Sequence, residues 1–173
     1  DYQRSILQAN TVAFAGAEGA FAFQAAKELF PTYRYHSCAD FESVFQEVLA
    51  GRAAFGVIPF ENSYTGEVGE VFDLLFKHNC YIQAICNLPV RQNLLALPGA
   101  KLAGVQKVYS HPQALSQCAA FLQEYALQPV AYANTALAAQ FVAESQNQAL
   151  AAIASAESAE LYGLQVLAAN INS

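Results

Sequence analysis

Two stretches decide the fold of this chain: IPFENSYTGEV at residues 58–68 and SHPQALSQC at residues 110–118. At each stretch an apolar run typical of a buried strand gives way to polar residues, just before a helical pattern begins. Open α/β sheets build their binding sites at such junctions between a strand and the following helix. We therefore expect the chemistry of this protein at these two junctions.

Strand and helix patterns alternate on both sides of these junctions. The first series has predicted strands and helices in turn at residues 11–15, 21–30, 33–38, 41–50, 54–59 and 67–78. The second series has them at residues 107–109, 112–125, 129–132, 136–144, 150–154 and 156–162. Such alternation predicts an α/β fold with a parallel-rich sheet and helices on both faces.

A strand-rich passage at residues 80–97, with predicted strands at 80–86 and 93–97, separates the two series. We interpret it as a crossover between two lobes; one continuous doubly wound sheet is the alternative. The expected organisation is an N-terminal extension or linker at 1–10, lobe one at 11–85 plus 161–173, and lobe two at 86–160.

Composition excludes several classes of partner. Eight basic and fourteen acidic residues give a net charge of -6, without the positive stripe that a nucleic acid requires. No apolar run approaches the roughly 18 to 20 residues that cross a bilayer, so we expect a cytoplasmic protein without a membrane partner. The four cysteines lack a metal-binding spacing and are predicted to be buried, reduced thiols.

The glycine-containing junction at residues 16–19, Gly-Ala-Glu-Gly, precedes the first predicted helix. It matches neither the G-x-G-x-x-G dinucleotide fingerprint nor the G-K-[ST] end of a P-loop, so a nucleotide cofactor is disfavoured. Glycines at this place also serve simply to make the turn.

Donors and acceptors are dense at the second junction, where Glu61, Asn62, Ser63 and Thr65 follow a predicted strand. A capped turn in which Gly66 supplies a positive φ is the structural alternative to a binding site.

At the third junction Ser110 is predicted to cap a helix, with Gln113 completing a capping box. Capping of the helix start accounts for Ser110 and Gln113 but not for Gln117. Gln117 lies four residues beyond Gln113, so it presents a second amide on the same helical face. His111, before Pro112, is either structural or a proton donor.

Thr135 is the predicted N-cap of a later helix, and the small Ala136 behind it allows close approach of a ligand. Helix N-termini gathered at one end of a sheet would present free N–H groups and positive dipole ends to a common point. We therefore expect an anionic small-molecule ligand.

These motifs, in this order, resemble the catalytic domain of prephenate dehydratases over roughly residues 11–172. The matching motifs are G-x-E-G-A-F at 16–21, E-N-S-x-x-G-x-V at 61–68, S-H-P-Q-A-L-x-Q-C at 110–118, T-A-x-A-A at 135–139, A-A-I-A-S at 151–155 and Y-G-L at 162–164. The nine-residue match at 110–118 is specific, whereas the first loop is not.

The resemblance implies a two-lobed, type II periplasmic-binding-protein-like fold with an interlobe active-site cleft. It implies conversion of prephenate to phenylpyruvate with loss of water and carbon dioxide in phenylalanine biosynthesis, without metal or organic cofactor, and we expect a homodimer. The residues carried over as catalytic are Asn62, Ser110, Gln117 and Thr135. The expected substrate-binding residues are Gly19, Ala20, Glu61, Ser63, His111, Gln113 and Ala136.

Two departures from the family pattern bear on activity. Ala22 stands where the family often has serine, and the family's Thr-Arg-Phe triplet is expected after Ser173, where the sequence stops. The regulatory ACT domain that often follows is also absent from the sequence. A non-catalytic small-anion-binding module on the same scaffold and an arogenate dehydratase are the alternative functions.

Overall fold

The computed structural model describes residues 10–63 and 66–172. These residues form two compact units, one extending to Leu88 and the other beginning at Pro89. The expected lobe boundary between residues 85 and 86 lies a few residues before this division.

The first unit is a parallel three-stranded sheet with the order β2-β1-β3 and helices between successive strands. Its elements are β1 (Thr11–Ala15), α1 (Phe21–Leu29), β2 (Arg34–Cys38), α2 (Phe41–Leu49), β3 (Phe55–Val57), the short strands β4 (Glu61–Asn62) and β5 (Gly66–Glu67), and α3 (Gly69–Lys77).

Side chains of the central strand β1 alternate between two small cores. Val12 and Phe14 pack with Ala26 of α1, whereas Ala13 packs with Val44 of α2. This alternation follows from the two-residue period of a strand, and it places one helix on each face of the sheet.

Helix α2 begins as the sequence predicts, because Asp40 caps it. Asp40 Oδ1 accepts a 2.8 Å hydrogen bond from the backbone N–H of Ser43, and a further bond from the Ser43 hydroxyl. These two bonds stabilise the carboxylate and lower the pKa of Asp40. The helix then lies so close to the sheet that a Cβ on Gly56 would be 2.6 Å from Val44 Cγ1.

The second unit is a five-stranded mixed sheet with the order β10-β6-β9-β7-β8. Its elements are β6 (Asn93–Ala96), a 3-10 turn (Leu102–Gly104), β7 (Lys107–Ser110), α4 (Pro112–Gln117), α5 (Ala119–Glu124), β8 (Gln128–Ala131), α6 (Thr135–Ser145), β9 (Leu150–Ala154), α7 (Ala156–Tyr162) and β10 (Gln165–Ala168). Strands β7, β8 and β9 are mutually parallel, and β6 pairs antiparallel with both β9 and β10.

Both faces of this sheet are buried. Leu94 and Ile153 belong to a core that also contains Leu122 of α5, and Leu95 belongs to a second core with Val142 of α6. Helices therefore cover both faces, which explains why β6 and β9 are continuous apolar runs instead of alternating ones.

The expected return of residues 161–173 to lobe one is wrong, because β10 pairs with β6 inside the second unit. Side-chain hydrogen bonds also hold residues 161–172 in the second unit. Gln165 Nε2 donates to the carbonyls of Leu97 and Ala100, and Asn172 Nδ2 donates to the Val90 carbonyl. A short final strand can join any sheet edge that offers unpaired backbone N–H and C=O groups, and the sequence pattern does not specify that edge.

Two other predicted elements differ from the structure. The strand predicted at residues 80–86 does not form, and Tyr81, Ile82 and Ile85 are exposed there, so they gain no burial from a partner strand. The single helix predicted at 112–125 is divided at Cys118, whose backbone leaves the α region at φ -106° and ψ 13° while its side chain enters the core.

Candidate functional site

The carboxyl ends of β7, β8 and β9 lie at one edge of the second unit's sheet, because the three strands are parallel. Strand β6 runs in the opposite direction and so begins at this same edge. We call this the carboxyl edge; it carries Ser110 at the end of β7, Asn134 and Thr135 after β8, and Gln92 before β6. Ligands of open α/β sheets bind at edges of this kind.

Ser110 ends β7 and is fully buried. Its hydroxyl donates a 2.7 Å hydrogen bond to the Ile153 carbonyl of β9, and its own carbonyl accepts from the Tyr132 N–H. The prediction that Ser110 caps the following helix is therefore wrong: β7 continues through Ser110, and His111 is the cap of a helix that begins at Pro112, as predicted. The hydroxyl instead joins two neighbouring strands at the carboxyl edge.

Replacement of Ser110 by alanine tests this role as a tether. We expect Ser110→Ala to lower the free energy of unfolding by about 1–3 kcal/mol, because Ile153 loses a buried donor. Ser116→Ala, on the exposed face of α4, is the matched control and should be near neutral. Denaturant unfolding of both variants measures the difference. A large loss of turnover at unchanged stability would instead assign Ser110 a direct role in the reaction.

His111 is the residue that caps α4. Its Nδ1 accepts a hydrogen bond from the Gln113 N–H at 3.1 Å, and Pro112 occupies the first turn, where no N–H is needed. In neutral His111 the proton therefore resides on Nε2, which is a donor. This bond takes the place of the predicted capping box between Ser110 and Gln113. The Gln113 N–H donates to His111, while the Ser110 hydroxyl is bonded to Ile153.

Gln117, the last residue of α4, is only 6% exposed. Its Oε1 accepts a hydrogen bond from Gln92 Nε2 at 3.3 Å. Sequence reasoning selected Gln117 but missed Gln92, because it searched for polar residues after parallel strands. The available signal was the polar pair Gln92-Asn93 directly before the apolar run Leu94–Ala96, because β6 begins with Asn93 at the same edge.

The N-terminus of α6 also lies at the carboxyl edge. The side chain of Asn134 caps it, with Oδ1 accepting from the Leu137 N–H at 2.8 Å. Thr135, the predicted cap, is instead the first helical residue and is half-buried, and Ala136 is fully buried. The eleven-residue helix directs its positive dipole end toward this edge, where it favours an anion.

In the first unit the polar junction is a β-hairpin. Asn62 of β4 pairs with Gly66 of β5, and Gly66 has the predicted positive φ, at +75°. Glu61 and Ser63 are exposed and Asn62 is half-buried. Tyr64 and Thr65 of the motif lie outside the described residues.

Gly19 and Ala20 precede α1 in the first unit. Gly19 is buried with φ +89°, a conformation that favours glycine. Ala20 is the N-cap residue of α1. Its methyl side chain cannot accept a hydrogen bond, so no side chain caps the first N–H groups of this helix. The structure thus divides the expected site residues between the units: Gly19, Ala20, Glu61, Asn62 and Ser63 in the first, and Ser110, His111, Gln113, Gln117, Thr135 and Ala136 in the second.

The cysteines of the described chain are free thiols, as predicted, but only Cys38 and Cys118 are buried, whereas Cys80 and Cys86 are half-buried. Burial raises the pKa of the Cys118 thiol to about 12, so it is protonated and unreactive at neutral pH. Among residues 10–63 and 66–172, no cluster of three histidine, cysteine or acidic side chains is arranged to hold a metal ion. In the same residues no helix is long and apolar enough to cross a membrane.

Comparison with known proteins gives a consistent family assignment. The family model for prephenate dehydratase matches residues 12–173. The chain is 39% identical over 160 residues to arogenate dehydratase/prephenate dehydratase 1, chloroplastic, of Arabidopsis thaliana, and 41% identical over 162 residues to arogenate dehydratase 1 of Petunia hybrida. These matches cover 92% of this chain but only 41% and 38% of the two relatives. The chain thus spans about two fifths of the length of these relatives.

Two solved structures share the fold. Prephenate dehydratase from Arthrobacter aurescens, in complex with L-Phe, has a TM-score of 0.81 at 27% identity, covering 94% of this chain and 55% of that one. GqqA, described as a novel type of quorum quenching acylase, has a TM-score of 0.86 at 32% identity, covering 94% of this chain and 60% of that one. The mixed α/β fold is therefore that of prephenate dehydratase structures.

Proposed function

Because this chain belongs to the prephenate dehydratase family, we propose that it converts prephenate to phenylpyruvate, with loss of water and carbon dioxide, in L-phenylalanine biosynthesis. The observation that supports this activity best is the buried amide of Gln117, which Gln92 holds at the carboxyl edge that also carries the N-terminus of α6. The edge offers uncharged donors and a positive dipole end to an anion, in a chain whose net charge is -6.

Prephenate needs little chemical assistance from a protein. The bond from ring C1 to its carboxylate breaks and its electron pair enters the ring, while the 4-hydroxyl leaves with its bonding electrons. Protonation of that hydroxyl gives water, the lost carboxylate gives carbon dioxide, and the ring becomes aromatic. A protein accelerates this reaction by orienting the dianion and by donating a proton or hydrogen bond to the departing oxygen.

The donors proposed for this task are neutral. Within the second unit, Gln117 supplies an amide and Thr135 supplies a hydroxyl on the first turn of α6. Ser110 stabilises the carboxyl edge, because its hydroxyl donates a hydrogen bond from β7 to the Ile153 carbonyl of β9. Donors aimed at developing negative charge stabilise a transition state more than the ground state.

Arogenate is the alternative substrate, since it differs from prephenate by an ammonium in place of the side-chain keto group. The plant relatives carry both activities in their names or arogenate dehydratase alone, which favours testing the two substrates together. A binding module without catalysis is the second alternative, supported by the helix N-terminus alone.

Acyl transfer, the activity named for GqqA, requires an activated nucleophile. Four buried hydroxyl or thiol side chains lie in the described part of the second unit. The Ser110 hydroxyl donates to a carbonyl, the Ser155 and Ser158 hydroxyls lie within hydrogen-bond distance of each other, and burial raises the pKa of the Cys118 thiol to about 12. His111 Nδ1 is engaged by the Gln113 N–H and does not activate Ser110 through that nitrogen. The described residues therefore favour the lyase over an acylase.

The type II periplasmic-binding-protein-like architecture with an interlobe cleft, the homodimer, the cytoplasmic location and the importance of a following Thr-Arg-Phe segment stay predictions of the resemblance. None of them is needed for the direct test of the activity.

Incubation of the purified protein with prephenate or with arogenate tests the proposal. We expect phenylpyruvate from prephenate, or phenylalanine from arogenate, at a rate above that of the uncatalysed reaction. Product quantification by chromatography measures both reactions. Binding of either substrate without product formation would support the binding module, and neither binding nor product would overturn the proposed function.

A further inference from the structure

The side chain of Gln92 carries a buried acceptor that the protein does not use. The residue is 3% exposed, and its Nε2 donates to Gln117 Oε1. No hydrogen-bond donor among residues 10–63 and 66–172 reaches Gln92 Oε1, although this atom is buried. Buried amide oxygens without a partner are rare and costly, so each requires a physical explanation.

Hydrogen bonds hold both the main chain and the side chain of Gln92. The Gln92 N–H donates to Asn172 Oδ1 at 2.9 Å, and the Gln92 carbonyl accepts from the Ile171 N–H at 2.9 Å. With the bond to Gln117, the residue is held by its main chain and by its side chain. The acceptor is therefore fixed in place at the carboxyl edge.

The bond between the two glutamines also orients Gln117. Because Gln117 Oε1 accepts from Gln92, the amide nitrogen of Gln117 lies on the side away from Gln92. Of this glutamine pair, the Gln92 Oε1 atom is the unpartnered one, which suits a ligand that has a hydrogen-bond donor.

We propose, on the basis of the proposed function, that Gln92 is a substrate-binding residue whose Oε1 accepts a hydrogen bond from an O–H or N–H group of the substrate. Prephenate and arogenate share one such donor, the ring hydroxyl. Arogenate has a second donor, its side-chain ammonium, where prephenate has a keto oxygen that only accepts. Gln92 thereby either binds the leaving hydroxyl of both substrates or selects for the amine of arogenate.

Gln92→Met tests this inference, since methionine has a similar volume and neither donates nor accepts strongly. We expect the dissociation constants of the substrate to rise roughly ten- to a hundredfold, the effect of losing one buried hydrogen bond to a ligand. Calorimetric titration with prephenate and with arogenate measures this binding without requiring turnover. Gln92→Asn, which keeps the amide but shortens its reach, should weaken binding as well.

Comparison of the two substrates shows whether the ring hydroxyl or the ammonium donates to Gln92 Oε1. Equal weakening for prephenate and arogenate would identify the ring hydroxyl, and weakening for arogenate alone would identify the ammonium. Weakening for prephenate alone would overturn the inference, because prephenate has no donor that arogenate lacks. Unchanged binding of both would also overturn it, and would mean that water occupies the acceptor.

Stability separates a binding role from a structural one. Gln92→Met removes the donor to Gln117 Oε1 together with the unpaired acceptor, so we expect a moderate fall in its melting temperature, and binding is compared at a temperature where both proteins are folded. Gln165→Met is the matched control, because Gln165 donates to Leu97 and Ala100 at the opposite end of the sheet. This control should lower the melting temperature and leave substrate binding intact. A Gln92→Met protein that is destabilised but binds normally would show a purely structural residue.

A double-mutant cycle with Gln117→Met separates contact from positioning. Additive losses of binding would show that Gln92 contacts the substrate itself, as we propose, whereas no further loss in the Gln117→Met background would show that it acts only through Gln117 and overturn the contact. Turnover by the unmodified protein reports on the proposed function independently. If substrate binds without turnover and Gln92→Met weakens that binding, the inference stands and the proposed catalysis fails.

Discussion

Gln117→Met is expected to lower the turnover number for prephenate by roughly a hundred- to a thousandfold, the scale of removing one donor that stabilises developing charge. Gln117 is 6% exposed, and Gln92 holds its amide in one orientation. Methionine preserves the volume of the side chain while removing the donor, so packing around α4 should survive. Steady-state kinetics with prephenate, at matched thermal stability, measures the effect.

The neighbouring Gln123→Met variant is the control for this loss. Gln123 lies exposed on α5, the next helix, and has no place at the carboxyl edge. Its turnover should equal that of the unmodified protein. If Gln117→Met also retained near-native turnover while folded, Gln117 would be a packing residue, and the chemistry would have to be assigned elsewhere.

Phe14→Ala is expected to destabilise the first unit by about 3–5 kcal/mol, the range observed when a buried phenylalanine is truncated. Phe14 lies on the central strand β1 with 1% of its surface exposed, and its ring centroid is 5.2 Å from that of Phe23 on α1. Alanine would leave a cavity between the sheet and α1 and would also remove this aromatic contact. Denaturant unfolding, with the slope of the transition checked against that of the unmodified protein, measures the loss.

Phe76 provides the same substitution in the opposite environment. Its side chain, on α3, is 96% exposed, so Phe76→Ala removes little buried area and should change stability by less than about 0.5 kcal/mol. Equal destabilisation by the two variants would mean that Phe14 is not part of a packed core.

Local patterns predicted the elements well where the signal lies within one element. The strand predicted at residues 11–15 and the helix predicted from residue 41 both depend on side chains that are close in sequence, and both are found. The positive φ of Gly66 was expected for the same reason, since only a few neighbouring residues define a turn. The sequence also selected Gln117 as a residue that helix capping does not explain.

The predictions were wrong where a side chain had hydrogen-bond partners available both nearby and far along the chain. Ser110 resembles a helix cap in sequence, yet its hydroxyl donates to Ile153, forty-three residues away, and His111 takes over the cap. Gln92 escaped notice because its place at the carboxyl edge depends on the antiparallel direction of β6. The order of strands, which is not local, decided both outcomes.

By itself the sequence determined the alternation of strands and helices and the family, because periodicity, caps and motif residues act over a few neighbouring positions. Only the tertiary structure decided that β10 joins β6 in the second unit and that Gln92 meets Gln117. Both contacts join segments far apart in the chain. Which backbone edge a short strand pairs with, and which buried polar group finds a partner, depends on the packing of the whole sheet.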